Sequence, residues 1–260
     1  MDIKEASKIS FNVNNRHPWE LARVKIIEKF ICKYLSKDVN AKILDVGSGD
    51  AFITSFLAKK YENFDFYAVD TAYDEVLIKL FKDNINLKNV HLYSSLNDII
   101  FEDTNFDIIL LNDVIEHIED DILFLNNLSK RSFVSDKTIF LISVPSYQFL
   151  FTSHDEFLGH YRRYNNALLK NNVEKAGLEV LEIGYFFFTL VPVRLIQKIL
   201  GQITKKKKKP KDLSEWKGNI FISKIFENIL LLDYTLSKIL RKIGIKLPGL
   251  SNYAICKKQQ

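Results

Sequence analysis

Two glycines one residue apart follow a short apolar run that ends in an acid, in Lys42-Ile43-Leu44-Asp45-Val46-Gly47-Ser48-Gly49-Asp50-Ala51-Phe52. The pattern reads as a buried parallel strand, a tight turn and a helix start. Gly47 and Gly49 have no Cβ, so a ligand can lie almost on the backbone. A dinucleotide turn of the form G-x-G-x-x-G needs its third glycine at position 52, and Phe52 stands there. Asp45 at the strand end repels a phosphate but suits a cationic ligand. About twenty residues on, Phe64–Asp70 is a second strand ending in an acid. An acid at that spacing accepts bonds from ribose hydroxyls.

A second concentration of chemistry lies between Pro145 and Tyr164: two His, two Arg, two acids and three Tyr in twenty residues. His154 and His160 are candidate general bases near neutral pH. Asp155 is a candidate to orient an imidazole. Arg162 and Arg163 suit a bidentate clamp on a phosphate or carboxylate. Tyr147, Tyr161 and Tyr164 complete the candidate substrate-binding set. The competing reading pairs the arginines with Asp155, Glu156 or main-chain carbonyls, which rigidifies the loop. His117 reads as structural or cofactor-adjacent, and Glu116 as a cap for the helix that follows.

These residues need a scaffold that brings them to one edge. Val90–Tyr93, Phe106–Asn112 and Thr138–Pro145 read as further strands, separated by helical segments. Such alternation predicts a mainly parallel sheet of βαβ units with helices on both faces. Ligands then bind beyond the carboxyl ends of the strands, where the 145–164 loop also falls. Leu178–Ile183 and Ser251–Cys256 are expected as antiparallel neighbours completing seven strands.

Asp45-Val46-Gly47-Ser48-Gly49 resembles the glycine-rich motif of class I S-adenosylmethionine-dependent methyltransferases, with Ala51 where a third glycine is common. The acid Asp70 and the run Phe106-Asp107 to Glu116-His117 resemble later motifs of that family, in the same order. The resemblance covers roughly residues 16–185 plus the last strand. It implies a Rossmann-like α/β fold and S-adenosylmethionine as cofactor, with S-adenosylhomocysteine as product. It places the cofactor on Asp45, Gly47, Ser48, Gly49, Asp70, Thr71, Ser95, Asn112, Asp113 and Arg23. Ser95 stands where an adenine-binding Asp is frequent. The phrase from His154 to Tyr164, and His17-Pro18-Trp19-Glu20-Leu21-Ala22-Arg23, are similar to a bacterial subgroup associated with glycan and polyprenyl-lipid biosynthesis. The expected reaction is O-methylation of a small or lipid-linked acceptor: a sugar, a quinone precursor or a polyprenyl-linked intermediate. The alternatives are N- or C-methylation on the same fold, or a non-catalytic scaffold that binds cofactor or lipid.

Composition sets the remaining bounds. The 260-residue chain is 47% hydrophobic and 27% charged, which excludes global disorder. Cys32 and Cys256 have neither disulfide-framework nor metal-site spacing, and the first residues show no apolar signal segment. A cytoplasmic protein without a metal is therefore expected. The organisation reads as an N-terminal helical cap (1–40), a cofactor domain (41–188 and 250–260) and a basic helical insertion (189–249). Residues 194–246 carry a net charge of +10 against −5 for the rest, including the unbroken run Lys205–Lys209. Flanking that run are two apolar stripes at helical spacing, Val193 to Ile203 and Phe221 to Ile243. Neither is a transmembrane span. One reading lays them on an anionic membrane surface, peripheral to the inner membrane. The other packs them on the sheet as a helical lid with a solvated lysine loop. Nucleic acid is not expected as a partner, and the oligomeric state is left open.

Overall fold

The computed structural model describes residues 13–99, 105–204, 216 and 218–259. Seven strands form one sheet: β1 (Ala41–Val46), β2 (Phe64–Val69), β3 (Val90–Tyr93), β4 (Ile108–Asn112), β5 (Ile139–Pro145), β6 (Leu178–Phe186) and β7 (Ser251–Lys258). Their spatial order is β3-β2-β1-β4-β5-β7-β6, and only β7 runs against its neighbours. The chain reverses its winding between β1 and β4, so the crevice for ligands opens at the carboxyl ends of those strands.

Central strands are apolar because both faces are covered. Ile43 of β1 joins a core with α1 (Pro18–Tyr34) and α2 (Phe52–Ala58). Its neighbour Leu44 joins the opposite core with α4 (Asp121–Ser129) and α6 (Asn166–Lys175). The other helices are α3 (Glu75–Ile85) and the short α5 (Ser153–Leu158). The start of α1 is set by His17, whose ring accepts the Trp19 amide while Glu20 closes a capping box, with Pro18 in the first turn.

Two helices lie between β6 and β7: α7 (Leu190–Thr204) and α8 (Ile220–Lys242). The run Lys205–Lys209 lies outside the described residues. α8 packs on α1, with Leu230 and Tyr234 entering the core beside Phe30. Its other fully buried residues are polar. Glu227, 3% exposed, pairs with Lys25 of α1, and Asp233 accepts from the Thr189 amide at 2.7 Å. Arg241 donates to the Ile183 carbonyl at 3.1 Å and to the Tyr253 hydroxyl at 2.5 Å, and it pairs with Glu182.

The fold carries two expectations. Arg241→Ala removes a donor from the Ile183 carbonyl, the Tyr253 hydroxyl and the Glu182 carboxylate at the α8 seam, so urea unfolding should show a loss of about 1–3 kcal/mol. Asp45 is buried in β1 and accepts from Thr54 Oγ1 at 2.7 Å; burial pushes its pKa up to about 7 from 3.8. The raised value means that Asp45 stabilises the fold at low pH and loses that contribution as pH climbs from about 4 to 7. Asp45→Asn removes the dependence. Thermal melts should show wild type falling behind the variant by roughly 1.4 kcal/mol per pH unit across that window; parallel pH profiles would contradict this.

Candidate functional site

The turn after β1 is held by the Gly47 and Ser48 amides, which both donate to the Val69 carbonyl, at 2.8 and 3.1 Å. Gly47 (φ 67°), Gly49 (φ 54°) and Ala51 (φ 53°) all adopt left-handed backbone. A Cβ on Gly47 would come within 2.7 Å of Val114 Cγ2, so the loop after β4 presses on this turn and admits only glycine. The Ser48 hydroxyl lies 2.8 Å from that of Tyr73, which turns it into the protein. Asp45 is likewise directed inward, onto Thr54, and presents no carboxylate to the crevice.

Asp70 sits at the carboxyl end of β2, half-buried. One of its oxygens accepts the Gly49 amide at 2.8 Å and the other the Ala72 amide at 2.9 Å. These bonds fix the carboxylate and leave it lone pairs for a diol. Thr71 beside it is exposed. Ser95 accepts the Asn97 amide at 3.1 Å and caps the short turn Leu96–Asp98. Arg16 and Asp50 escaped the sequence reading. Arg16 pairs with Asp50 and Glu20, and its guanidinium lies 4.3 Å from the centre of the Phe52 ring. Phe52 is thus the floor under a buried ion pair.

Beyond β4 the polar groups crowd together. Asp113 has φ 54° and pairs with Arg23 of α1, which also reaches Ser251 Oγ at 3.5 Å. Asn112 Oδ1 accepts from Ser143 at 3.0 Å. Among the described residues, Asn112 Nδ2, Asp113 Oδ1 and both carboxylate oxygens of Glu116 are buried without a hydrogen-bond partner. Buried polar atoms are nearly always satisfied, so such orphans mark a place where another group binds. Helix α4 is capped by Asp120, not by Glu116. Glu116 belongs instead to the turn Ile115–His117 and is fully buried, which pushes its carboxyl well above the usual range; the nearby Asp113 adds to the shift.

The loop after β5 wraps around Asp155, itself buried. This carboxylate lies 3.2 Å from His160 Nδ1 and accepts from Arg163 Nε at 2.7 Å, from the Thr152 amide at 2.8 Å and from Thr152 Oγ1 at 3.1 Å. Arg194 of α7 approaches it at 3.5 Å. Burial alone would raise the Asp155 carboxyl. The bonds from His160 and Arg163 outweigh it and hold the group well below the usual carboxylate range.

The two arginines are therefore internal braces. Arg163 is buried on Asp155, and Arg162 spans Asp121 and the Ile118 and Glu119 carbonyls. Tyr164 is fully buried and donates to Asp121 at 2.6 Å, so it does not face a substrate. Tyr161 and Tyr147 do remain toward the surface: Tyr161 is exposed, and Tyr147 stacks on Tyr185 at 5.2 Å. His154 occupies the first turn of α5, while His160 turns inward against His117, ring centres 4.5 Å apart.

Taken together, a glycine turn that holds no Cβ against β4, an anchored strand-end carboxylate and orphaned polar atoms one strand away fit an adenosyl cofactor with a cationic amino-acid end. Residues 20–183 match the family described as a methyltransferase domain. No curated protein sequence matches. The fold is similar to that of a Galdieria sulphuraria protein provisionally named a sarcosine dimethylglycine methyltransferase. That pair is 15% identical, with 92% of this chain and 86% of that chain covered and a TM-score of 0.55. It is also similar to coclaurine N-methyltransferase bound to N-methylheliamine and S-adenosylhomocysteine (15% identity, 92% and 71% covered, TM-score 0.54). A third is Haemonchus contortus phosphoethanolamine N-methyltransferase 2 in complex with S-adenosylmethionine (16% identity, 92% and 52% covered, TM-score 0.54). The chain belongs to the methyltransferase-domain family, and it is a methyltransferase.

Proposed function

We propose that this enzyme O-methylates a lipid-linked acceptor presented at an anionic membrane surface. One observation carries the reading: the insertion helices are amphipathic with their apolar side outward. In α8 the inward positions include Ser223, Glu227, Asp233 and Arg241, while Phe221 is 73% and Leu232 68% exposed. In α7 the cations Arg194 and Lys198 turn inward, to Thr152 and the Phe149 carbonyl, and Val193, Ile196 and Ile199 face out. A helix packed merely as a lid would do the reverse.

That apolar face adjoins the loop after β5, whose Phe149 and Phe157 are also exposed. Lys224, Lys238 and Lys242 flank it on α8. Among the described residues no helix is long and apolar enough to cross a membrane, so the helices suit the interface plane. The resemblance of the 154–164 phrase to enzymes of polyprenyl-lipid biosynthesis agrees with such an acceptor.

In this reading Asp70 holds the ribose, the Gly47–Gly49 turn lies beside the amino-acid end, and Asn112, Asp113 and Arg23 close the crevice. The bound cofactor supplies an electrophilic methyl group on a sulfonium. The protein contributes alignment, which accounts for about 7–11 kcal/mol of such barriers, and a route for the acceptor's proton. His160, oriented by Asp155, serves that proton loss. Tyr161 and Tyr147 contact the acceptor.

Two measurements test the assignment. Asp70→Ala should weaken S-adenosylhomocysteine binding by about 1.5–3 kcal/mol in calorimetry, because charged-acceptor bonds are lost; unchanged affinity would remove Asp70 from the cofactor site. The protein should sediment with anionic liposomes, less so as salt rises, since each basic residue near the leaflet contributes ~1 kcal/mol. Replacing Lys205–Lys209 with Gln should abolish most of that binding. Equal sedimentation with neutral and anionic vesicles would overturn the anionic-surface reading, and none with either would rule out the membrane role.

A further inference from the structure

We propose that Glu116, His117 and His160 form a binding site for a first-row divalent transition-metal ion. One ligand atom from each residue lies within 4.8 Å of the other two. Bonds of 2.0–2.2 Å to an ion bring such atoms to roughly 3–3.5 Å from one another, so binding would draw the most separated pair together by at most about 1.3–1.8 Å.

Glu116 is the residue that needs explaining. It is 0% exposed, and neither carboxylate oxygen has a hydrogen-bond partner. A carboxylate stripped of water and left unpaired is expensive, and one that coordinates an ion is not. Two imidazoles stand beside it, and those are nitrogen ligands rather than further acids. His160 carries the second feature of a built site: its Nδ1 lies 3.2 Å from the buried Asp155 carboxylate. A carboxylate on one ring nitrogen fixes the tautomer and presents Nε2 as the ligand. The backbone fixes the distances, because the Tyr161 amide donates to the Glu116 carbonyl at 2.8 Å and the Tyr164 hydroxyl to the Ile115 carbonyl at 3.3 Å. The loop after β5 is thereby bolted to the turn after β4.

A two-histidine, one-carboxylate set favours Zn²⁺, Fe²⁺, Mn²⁺ or Co²⁺ over Mg²⁺ or Ca²⁺, which prefer oxygen alone. Three protein ligands leave coordination positions open for water or for an acceptor oxygen. The inference rests on the function proposed above in one respect: a bound ion would polarise the coordinated acceptor oxygen and ease its proton loss, and His160, with Nδ1 on Asp155 and Nε2 on the ion, would then serve as a ligand in place of the general base.

The test uses the full chain, stripped with EDTA and titrated with Zn²⁺ and separately Mg²⁺. Calorimetry and elemental analysis of the dialysed protein should show one tightly held Zn²⁺ per chain and no comparable Mg²⁺ binding. Glu116→Gln and His160→Gln should each weaken Zn²⁺ binding at least tenfold, while His91→Gln, on the β3 edge, should bind as wild type does. Glu116→Gln breaks no hydrogen bond of the Glu116 side chain, and unchanged S-adenosylhomocysteine affinity in it would show an intact fold. Absence of stoichiometric Zn²⁺ in wild type, or wild-type affinity in both ligand variants, would overturn the site. Intact Zn²⁺ binding alongside absent methyl transfer to any hydroxyl acceptor would instead sink the O-methylation reading and leave the metal site standing.

Discussion

The carboxylate of Asp155 is the point on which the loop after β5, the proposed acceptor side of this molecule, is assembled. It is buried and charged, and such a group is tolerated only when its lone pairs are taken up. The partners are four residues from three places: Thr152 at the start of α5, His160 and Arg163 from the following loop, and Arg194 from α7. Removing this one charge would leave two guanidinium groups buried or half-buried without their counter-ion. The loop, the imidazole and the first insertion helix are therefore positioned together or not at all. Arg163 and Arg162, which by residue type suit a ligand clamp, are consumed in making that assembly rigid.

The same pairing explains the unusual orientation of the insertion. Arg194 and Lys198 are drawn inward by Asp155, Thr152 and the Phe149 carbonyl, so the apolar residues at helical spacing between them have only the outside left. In α8, Glu227, Asp233 and Arg241 do the same against α1, Thr189 and the β6–β7 edge. Polar anchoring thus fixes which face points away from the domain. Hydrophobic burial, which normally sets helix orientation, is deferred to whatever meets that face.

The sequence made the fold legible because the strands are covered on both sides and end in acids or turns. The seven strands, their parallel run and the antiparallel last strand all follow from apolar runs spaced by helical segments. Strand ends moved by two or three residues: β6 reaches Phe186 where the sequence reading ended at Ile183. Roles of single side chains were harder to read. Tyr164 and Arg163 look from their types like ligand contacts, yet both are buried in pairs whose partners, Asp121 and Asp155, are 43 and 8 residues away. Glu116 looked like a helix cap, but Asp120 takes that place. The Glu116–His117–His160 cluster was invisible to spacing because its third member arrives from another strand's loop. Linear motifs report what one segment does alone, and this cluster is made by two.

The two halves of the site differ in how they tolerate change. At the cofactor end, conformation is set by local backbone: left-handed φ at Gly47, Gly49 and Ala51, and Asp70 held by two amides. Almost no substitution of Gly47 is compatible with Val114 behind it. At the proposed acceptor end, position is set by side-chain pairs that meet at Asp155, three from its own loop and one, Arg194, from α7, and the unpartnered atoms of Asn112, Asp113 and Glu116 lie between the two ends. A chain that must bind one invariant cofactor and one particular acceptor has reason to divide its constraints this way. The invariant ligand is read by main chain, which residue changes disturb least. The variable one, on the function proposed above, is read by side chains on a loop that is tied to an inserted helix. Changing the insertion would therefore reach the proposed acceptor loop through Arg194 and Asp155, with the glycine turn and β2 left untouched.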